Sequence, residues 1–475
     1  MEKDGKICLF NNSNLAWAVL EAEELAYLPI HTKEEVFIDD LFDRVPVSYH
    51  PALEGILISL YARGLILLNN EAYVGNYIFD EGVLYHHTYL IEFLLTEKCN
   101  IRCSYCFAEV DNRKKMMKED TAKAILDKVL QLPTNRLMIE FSGGEVFLNF
   151  PTFQFCVEYL KAHKGNKEIL LTAQTNAMLL NEKILTYCEE NQIHLSLTLD
   201  GPQWIHDKQR IGWNGKGTYH KVIEAIELLQ KKKMPFGMIG VITAHSVDYA
   251  REIMDHYKAL GVRSVKLNHC TPQGYSREVW GDIGIDGHDY LKFLKEVYAW
   301  IKDHDGAVTE SNLSVFFLNI LSKTSQYRCT RTTCRAGSEF LVFDPNGDIF
   351  PCPRFKHNPL TRLGNIADVH ETPVNELYKQ NDLVRGIDER NVNRIPMCKD
   401  CTWRNACRGG CSLETFEAYH TLDRESGICQ FYKGIYPFLF EKLLDDAEFI
   451  ARHFLSDSTL VGIPFEETVA SPVSG

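Results

Sequence analysis

Cysteine is the residue type that most constrains what this chain can fold into. The 475 residues include 15 cysteines. The N-terminus has no apolar stretch behind a basic start, so we expect no secretory signal and a cytoplasmic location. Disulfides are disfavoured in that reducing compartment, and spaced cysteines there indicate metal ligands or redox groups. The spacing of the cysteines therefore carries most of the functional information.

Composition narrows the class of protein. With 45% hydrophobic and 24% charged residues, the chain is typical of a globular protein, and its length predicts two or three domains. The formal net charge of −13 argues against a nucleic-acid enzyme, which needs a basic face. The most apolar segment, residues 53–68, contains Glu54 and Arg63 and is too short to span a bilayer, so we expect no membrane partner.

The middle of the chain alternates apolar runs of strand length with helical patterns. This order is typical of βαβ units with a parallel sheet, and six such units can close partly into a barrel. The predicted strands lie at 89–96, 136–141, 168–175, 193–200, 236–243 and 264–268. The predicted helices lie at 119–132, 150–164, 181–191, 218–233 and 246–260. Residues suited to chemistry follow the first four strands, at the edge where α/β folds build their sites.

Three cysteines form a compact motif directly after the first predicted strand. Cys99, Cys103 and Cys106 follow the spacing CxxxCxxC, so one loop can wrap three thiolates around a single centre. Soft thiolates select zinc, copper(I) or iron–sulfur clusters. On these residues alone, a structural zinc site with a fourth ligand elsewhere and a four-iron cluster with one open iron are about equally supported.

The wider pattern resembles the radical S-adenosylmethionine (SAM) superfamily. Phe107 fills the aromatic position after the cysteine motif, and Ser142-Gly143-Gly144-Glu145 follows the second strand. The segment 198–202 resembles the family's SLDGP, and 206–210 resembles the following HDxxR. Val146 departs from the pattern, since the family usually has proline there. The resemblance implies SAM-binding roles for Phe107, Gly143, Gly144, Glu145, Thr198 and Arg210.

The resemblance also implies a fold and a chemistry. The fold is α/β, a partial (β/α)6 barrel whose three-cysteine motif holds a [4Fe–4S] cluster that binds SAM. Gly143 and Gly144 would let the backbone approach the methionine amino group. Thr198 would contact the ribose or methionine end, and the Arg210 guanidinium the methionine carboxylate. The family cleaves SAM reductively to a 5′-deoxyadenosyl radical, which abstracts hydrogen from an unactivated carbon.

Eight further cysteines lie between residues 329 and 429. Their number predicts two four-cysteine sites, and zinc ribbons are the alternative that Cys398-x2-Cys401 alone would favour. The full spacing from Cys334 onward resembles the SPASM domain, which implies two auxiliary [4Fe–4S] clusters and three clusters in all. Cluster I would be held by Cys329, Cys334, Cys352 and Cys411. Cluster II would be held by Cys398, Cys401, Cys407 and Cys429.

The remaining parts of the chain complete the predicted organisation. The N-terminal part has strand-like pieces at 6–10 and 73–79 and helical patterns at 33–43 and 51–63. These suit a winged-helix-like peptide-recognition module, although an extension packed on the barrel fits the pattern as well. Cys156, Cys188 and Cys270 are expected to be core residues. The predicted boundaries are 1–87 for the module, 88–310 for the barrel, 311–440 for the SPASM domain and 441–475 for a C-terminal helix and tail.

Two enzyme classes compete within the resemblance. A maturase of ribosomally made peptides would form a thioether or another crosslink in a precursor peptide. An anaerobic sulfatase-maturing enzyme would make formylglycine, but that class typically has an aspartate where this chain has Pro353. Pro353 and the N-terminal module favour the peptide maturase, with the leader bound by strand addition and flavodoxin or ferredoxin as electron donor. A zinc-stapled binding protein without enzyme activity is the third class.

The sequence nominates no catalytic base. His269 and Tyr275 are candidates only because they lie near the end of the last predicted barrel strand. The acceptor residue, the bond that forms and the choice between crosslinking and epimerisation are likewise not indicated by these residues.

Overall fold

The structure is a computed structural model that describes most of the chain. The described residues are 2–3, 5–11, 16–25, 28, 36–71, 88–111, 114–321, 329 and 334–455. The strand-like piece predicted at 73–79, the start of the helical pattern at 33–43 and the predicted tail beyond 455 lie outside these ranges.

Fifteen strands and seventeen α-helices are found in the described ranges. The strands are β1 Glu2–Lys3, β2 Lys6–Asn11, β3 Ala16–Glu21, β4 Thr88–Thr96, β5 Ile101–Cys103, β6 Arg136–Gly143, β7 Glu168–Thr175, β8 His194–Thr198, β9 Arg210–Gly212, β10 Phe236–Ile242, β11 Ser264–His269, β12 Thr309–Glu310, β13 Phe340–Phe343, β14 Asp348–Phe350 and β15 Gly364–Asn365. The helices are α1 Ala22–Leu25, α2 Ile38–Asp43, α3 His50–Ala62, α4 Glu119–Val129, α5 Phe150–His163, α6 Glu182–Glu190, α7 Gln203–Gln209, α8 Tyr219–Lys232, α9 Ala250–Ala259, α10 Tyr275–Glu278, α11 Trp280–Ile283, α12 Gly287–Asp303, α13 Ser311–Leu321, α14 Asp382–Asp388, α15 Arg404–Cys407, α16 Ser412–Tyr419 and α17 Cys429–Phe454.

The central sheet confirms the predicted βα order. Its six middle strands run parallel in the order β4-β6-β7-β8-β10-β11, and helices α4, α5, α6, α8 and α9 alternate with them. Alternate residues of a strand face the same side of the sheet. On β4, Ile91, Phe93 and Leu95 share one side and are all fully buried in the main core. The polar side chains Glu92 and Glu140 occupy the intervening positions of β4 and β6. We call residues 88–269 the (β/α)6 unit.

The sheet continues beyond the predicted barrel at both edges. β12 pairs parallel with β11, and β13 pairs parallel with β4. β14 and β15 then follow antiparallel. The C-terminal cysteine region therefore begins within the same sheet as the (β/α)6 unit, a pairing that joins segments about 250 residues apart. Helix α13, just past the predicted boundary at 310, packs on β11 and α17.

The N-terminal part has its own small core. β1, β2 and β3 form an antiparallel sheet in that order. Its core contains Leu20, Leu41, Leu53 and Leu60, from β3, α2 and α3. This combination agrees with the predicted helix-plus-strand composition, while the winged-helix assignment stays a prediction.

An aromatic contact ties this small sheet to the C-terminal region. The Phe10 ring lies 5.1 Å from Trp403 and 5.2 Å from Phe440, centroid to centroid. The Trp17 ring meets Phe440 edge-on at 6.1 Å. We call Phe10, Trp17, Trp403 and Phe440 the aromatic seam.

Candidate active site and cluster ligands

Three thiols come together in the loop that follows β4. Cys99 and Cys103 are buried and Cys106 is partly exposed, and β5 pairs antiparallel with β9 to hold this loop. Burial raises the pKa of the Cys99 thiol to about 12, and the neighbouring charges of Glu145 and Cys106 raise it as well. Burial also raises the pKa of the Cys103 thiol, and the neighbouring charges of Cys106 and Cys99 add to this rise. A bound metal centre supplies the positive charge that lets such buried thiols ionise.

Backbone packing explains Gly143 and Gly144. A Cβ atom at Gly143 would lie 2.2 Å from the carbonyl oxygen of Thr96, and one at Gly144 would lie 2.1 Å from that of Lys98. The Gly144 amide donates to the Thr96 carbonyl at 2.8 Å, and the Glu145 amide donates to the Lys98 carbonyl at 2.9 Å. The glycines therefore let the loop after β6 lie directly against the cysteine loop. The sequence analysis did not foresee this role, and their contact with SAM stays a prediction.

Glu145 connects two loops of the site. It is fully buried, and its carboxylate accepts hydrogen bonds from the Thr175 hydroxyl at 2.7 Å and from the Asn176 amide at 2.8 Å. The Asn176 side chain in turn donates to Asn100 Oδ1 at 2.8 Å and to Cys99 Sγ at 3.5 Å. Glu145 therefore positions Asn176 against the cysteine loop.

Arg210 lies in a buried polar network beside the three thiols. Its Nη1 donates to the Tyr105 hydroxyl at 2.6 Å, and that hydroxyl donates to Asp200 Oδ2 at 2.7 Å. Arg210 Nε is buried without a hydrogen-bond partner among the described residues. Burial lowers the pKa of the Arg210 guanidinium, but nearby charges, that of Cys103 first, raise it overall. A buried guanidinium with a spare donor suits a carboxylate. Arg210 thus fits the predicted contact with the methionine carboxylate of SAM.

The other predicted SAM contacts, Thr198 and Phe107, lie outside the hydrogen-bond network of Arg210. Thr198 ends β8, and its hydroxyl accepts a hydrogen bond from Gln174 Nε2 at 3.0 Å. Phe107 is 39% exposed, whereas Tyr105 is the aromatic side chain of the motif that enters the Arg210 network. The sequence analysis missed Tyr105, although it stands between the second and third cysteines. Its position inside the motif was the available signal.

His206 is a structural residue of this region. It is fully buried, and burial, with the nearby Arg210 charge, lowers its pKa to about 2. Its ring contacts the Asp200 amide at 3.3 Å and the Thr218 hydroxyl at 3.0 Å. His206 is therefore neutral at physiological pH and anchors the segment between β8 and β9.

Two groups of thiols form in the C-terminal region. Burial raises the pKa of the Cys352 thiol, and the nearby thiols of Cys329, Cys334 and Cys411 raise it as well. The apolar side chains of Phe355, Ile387 and Leu413 pack around Cys334, Cys352 and Cys411. The second group, Cys398, Cys401, Cys407 and Cys429, lines a single cavity. The eight cysteines therefore fall into the two groups of four named for clusters I and II, and their roles as ligands stay a prediction.

The cysteine groups offer the type of donor that iron–sulfur clusters need. In the ranges that the structure describes, no three Cys, His, Asp or Glu side chains converge tightly enough to hold a single metal ion. Each of the groups above offers thiols alone, and cysteine thiolates are the ligands that iron–sulfur clusters take. Cys156, Cys188 and Cys270, which belong to none of these groups, are buried, which confirms their predicted place in the core.

Two family descriptions match the chain. Residues 93–260 match the Radical SAM superfamily, and residues 334–402 match SPASM, an iron–sulfur cluster-binding domain. The chain belongs to the radical SAM superfamily. It is therefore an enzyme whose family uses SAM and a [4Fe–4S] cluster, and its SPASM domain implies auxiliary iron–sulfur clusters. A non-enzymatic zinc protein is excluded by this membership.

Curated relatives of this radical SAM chain include a sulfatase-maturating enzyme and a cyclopropyl synthase. The cysteine-type anaerobic sulfatase-maturating enzyme of Clostridium perfringens is 26% identical over 366 residues, which cover 74% of this chain and 95% of the relative. The radical SAM cyclopropyl synthase TigE of Paramaledivibacter caminithermalis is 20% identical over 453 residues, which cover 90% of each chain.

Solved structures share the fold. The protein anSMEcpe, solved with AdoMet and the Cp18Cys peptide, has a TM-score of 0.67 at 24% identity, and the match covers 76% of this chain and 99% of anSMEcpe. SuiB of Streptococcus suis, solved with its precursor peptide SuiA, has a TM-score of 0.55 at 15% identity and covers 90% of this chain and 99% of its own. These likenesses confirm the radical SAM α/β fold with a C-terminal SPASM domain. Among the described residues, no helix is long and apolar enough to cross a membrane.

Proposed function

We propose that this protein is a maturase of a ribosomally made precursor peptide, in which it forms a thioether or another side-chain crosslink. The observation that supports this proposal is the share of this chain that each group of relatives covers. TigE and SuiB extend over 90% of this chain, whereas the sulfatase-maturing relative aligns over 95% of its own length but only 74% of this chain. An additional N-terminal sheet with helices suits a protein that holds a leader peptide by strand addition.

The residues of the site take defined roles in this proposal. Cys99, Cys103 and Cys106 hold the SAM-binding cluster, and Arg210 holds the carboxylate of SAM. Glu145 keeps Asn176 against the cysteine loop. When bound, the cluster and SAM supply a radical that can remove hydrogen from an unactivated carbon. The two groups of four cysteines hold clusters I and II, which gives three [4Fe–4S] clusters, and an electron carrier such as flavodoxin or ferredoxin is the external donor.

The product balance gives a direct test of crosslinking. One hydrogen atom leaves the acceptor carbon, and a proton and one electron leave as the substrate sulfur closes the thioether, so the peptide loses two hydrogens per crosslink. An oxidised iron–sulfur cluster is the class of group that can accept this electron. Co-expression with a short cysteine-rich peptide encoded beside the enzyme, followed by mass spectrometry, is expected to show this loss. The Cys99→Ala, Cys103→Ala, Cys106→Ala variant is the matched control and is expected to leave the peptide unmodified.

Formylglycine formation is the second candidate because the sulfatase-maturing relatives have the higher identity. Pro353, directly after Cys352, argues against it, since that class typically has an aspartate there. A sulfatase peptide with a cysteine or serine at its modification site, incubated with the reduced enzyme and SAM, tests this function. An aldehyde product on that peptide, with no change in the neighbouring cysteine-rich peptide, would replace the crosslinking proposal.

Iron content tests the predicted number of clusters. Anaerobically purified protein is expected to contain about twelve irons and a similar amount of acid-labile sulfide per chain. The triple variant of the first motif is expected to retain about eight irons and to lose SAM cleavage. About four irons in the native protein would instead leave the two auxiliary clusters without support.

A further inference from the structure

An ion pair lies against the cysteines assigned to cluster I, with the Glu414 side chain buried and the Arg354 side chain 28% exposed. Arg354 Nη1 is 2.9 Å from Glu414 Oε1, and only 8% of the Glu414 side chain is exposed. The same Arg354 nitrogen lies 3.8 Å from Cys411 Sγ, within reach of an N–H···S contact. Arg354 also stands two residues after Cys352. The pair therefore touches one proposed ligand of cluster I and follows another closely in the chain.

The end of β11 and the loop that follows it contact this pair from the other side. Arg354 Nε donates to Gln273 Oε1 at 3.2 Å, and His269 Nε2 lies 3.4 Å from Glu414 Oε1. His269 is the last residue of β11, and Glu414 lies in the first turn of α16. Each member of the pair therefore has a further contact on a second element of the fold.

Fixed charges at this distance act on a redox centre. The reduction potential of an iron–sulfur cluster depends on the net charge around it and on hydrogen bonds to its sulfurs. A nearby cation stabilises the reduced, more negative state and raises the potential, and a nearby anion lowers it. Both effects grow as the charges are shielded from water. The Arg354 guanidinium makes the direct contact with Cys411 Sγ, and Glu414 offsets its charge.

We propose that Arg354 and Glu414 set the reduction potential of cluster I in opposite directions, Arg354 raising it and Glu414 lowering it. They are positioning residues, because they act on the cluster through Cys411 and through their charges. The inference rests on the proposed ligand set of Cys329, Cys334, Cys352 and Cys411. It explains why a paired cation and anion occupy this place in a region otherwise packed with Phe355, Ile387 and Leu413.

The test is a redox titration of variants in the full-length protein. Electron paramagnetic resonance of cluster I is recorded in the Cys99→Ala, Cys103→Ala, Cys106→Ala background, which removes the signal of the SAM-binding cluster. At the potential where the native cluster I is half reduced, Arg354→Gln is expected to lower the reduced-to-oxidised ratio at least tenfold, equivalent to about 59 mV for one electron. Glu414→Gln is expected to raise the ratio at least tenfold.

Two further variants separate charge from structure. The double variant Arg354→Gln, Glu414→Gln removes both charges and is expected to return the ratio close to the native one. Arg251→Gln removes an exposed arginine that pairs with Asp303 and is expected to leave the ratio unchanged. If Arg354→Gln does not retain iron, Glu414→Gln and Arg354→Lys replace it in the test. Arg354→Lys keeps a cation, so it is expected to keep the reduced-to-oxidised ratio within about threefold of the native ratio.

The outcomes are distinct from a failure of the proposed function. Shifts of the same sign in Arg354→Gln and Glu414→Gln, or shifts no larger than that of Arg251→Gln, would overturn the inference. Retention of all native iron and of the native cluster I signal in Cys411→Ala would overturn the ligand assignment on which it rests. Neither result depends on which peptide is modified, because no substrate enters the measurement.

Discussion

At Gly144, a single missing side chain lets two loops of the site meet. A Cβ atom there would lie 2.1 Å from the Lys98 carbonyl oxygen and 3.1 Å from the Cys99 amide nitrogen. These are backbone atoms and cannot rotate away, so Gly144→Ala is expected to lower the free energy of unfolding by about 3 kcal/mol. The displaced cysteine loop should also lose iron. Thermal unfolding and the iron content of anaerobically purified protein measure the two effects.

Gly55→Ala is the matched control for this substitution. Gly55 is an exposed residue within α3, and nothing lies within 4 Å of an added Cβ atom. Alanine loses less conformational entropy in a helix, so this variant is expected to gain about 0.5–1 kcal/mol. Equal stability of the two variants would show that the contact with Lys98 does not explain Gly144.

Single residues also show what the sequence can and cannot reveal. The cysteine spacing and Arg210 were recognisable because each belongs to a motif that is local in the chain. The role of Tyr105 depends on Asp200 and Arg210, which are 95 and 105 residues away. The pairing of Arg354 with Glu414 likewise joins separate motifs. Such contacts depend on tertiary packing, which no local pattern encodes.

Among the elements, β4 and β6 place two carboxyl groups side by side. Glu92 and Glu140 are register partners on these parallel strands, and the Ser142 hydroxyl donates to Glu92 at 2.5 Å. Burial, together with the Glu140 charge, raises the pKa of Glu92 to about 8. The folded protein thus keeps a proton that the unfolded chain releases near pH 4.3. The stability from this proton is complete below about pH 4 and is lost as the pH rises through about 8.

Glu92→Gln tests this linkage because glutamine stays neutral at every pH. The variant is expected to flatten the fall in stability between about pH 5 and about pH 8, measured as hydrogen-exchange protection of the β4 and β6 amides after correction for intrinsic exchange. Glu54→Gln, at an exposed position of α3, should keep the native slope. Burial also raises the pKa of Glu140, so an unchanged slope in both Glu92→Gln and Glu140→Gln would refute the assignment.

The element predictions succeeded where patterns are local and stopped where pairing is long-range. All six strands of the (β/α)6 unit lie where the apolar runs placed them, because strand and helix periodicity are written in neighbouring residues. The addition of β13 to the edge of β4 was not predicted. Its sequence, Phe340–Phe343, identifies a short apolar strand but carries no mark of its distant partner.

For the whole molecule, the aromatic seam is a contact between the N-terminal sheet and the C-terminal region. Phe10→Ala removes a ring that meets both Trp403 and Phe440 and is expected to cost about 2 kcal/mol of docking energy. Limited proteolysis should then cut the N-terminal part faster, while dithionite-driven SAM cleavage continues. Phe37→Ala, at a side chain that is 80% exposed, is the control. Unchanged proteolysis of Phe10→Ala would show that other contacts hold the module.

The two larger parts of the molecule differ in what holds them together. The (β/α)6 unit has continuous strands over a large apolar core, whereas the cysteine region has elements such as β15, α14 and α15 of two, seven and four residues. Because these short elements form few backbone hydrogen bonds, we expect metal–thiolate bonds to be the main cross-links of that region. Removal of iron by a chelator is therefore expected to increase amide exchange throughout 334–429 and to leave β6 and β7 protected. An equal loss of protection in both parts would show that the clusters stabilise the whole chain, and unchanged protection at 334–429 would show that this region folds without them.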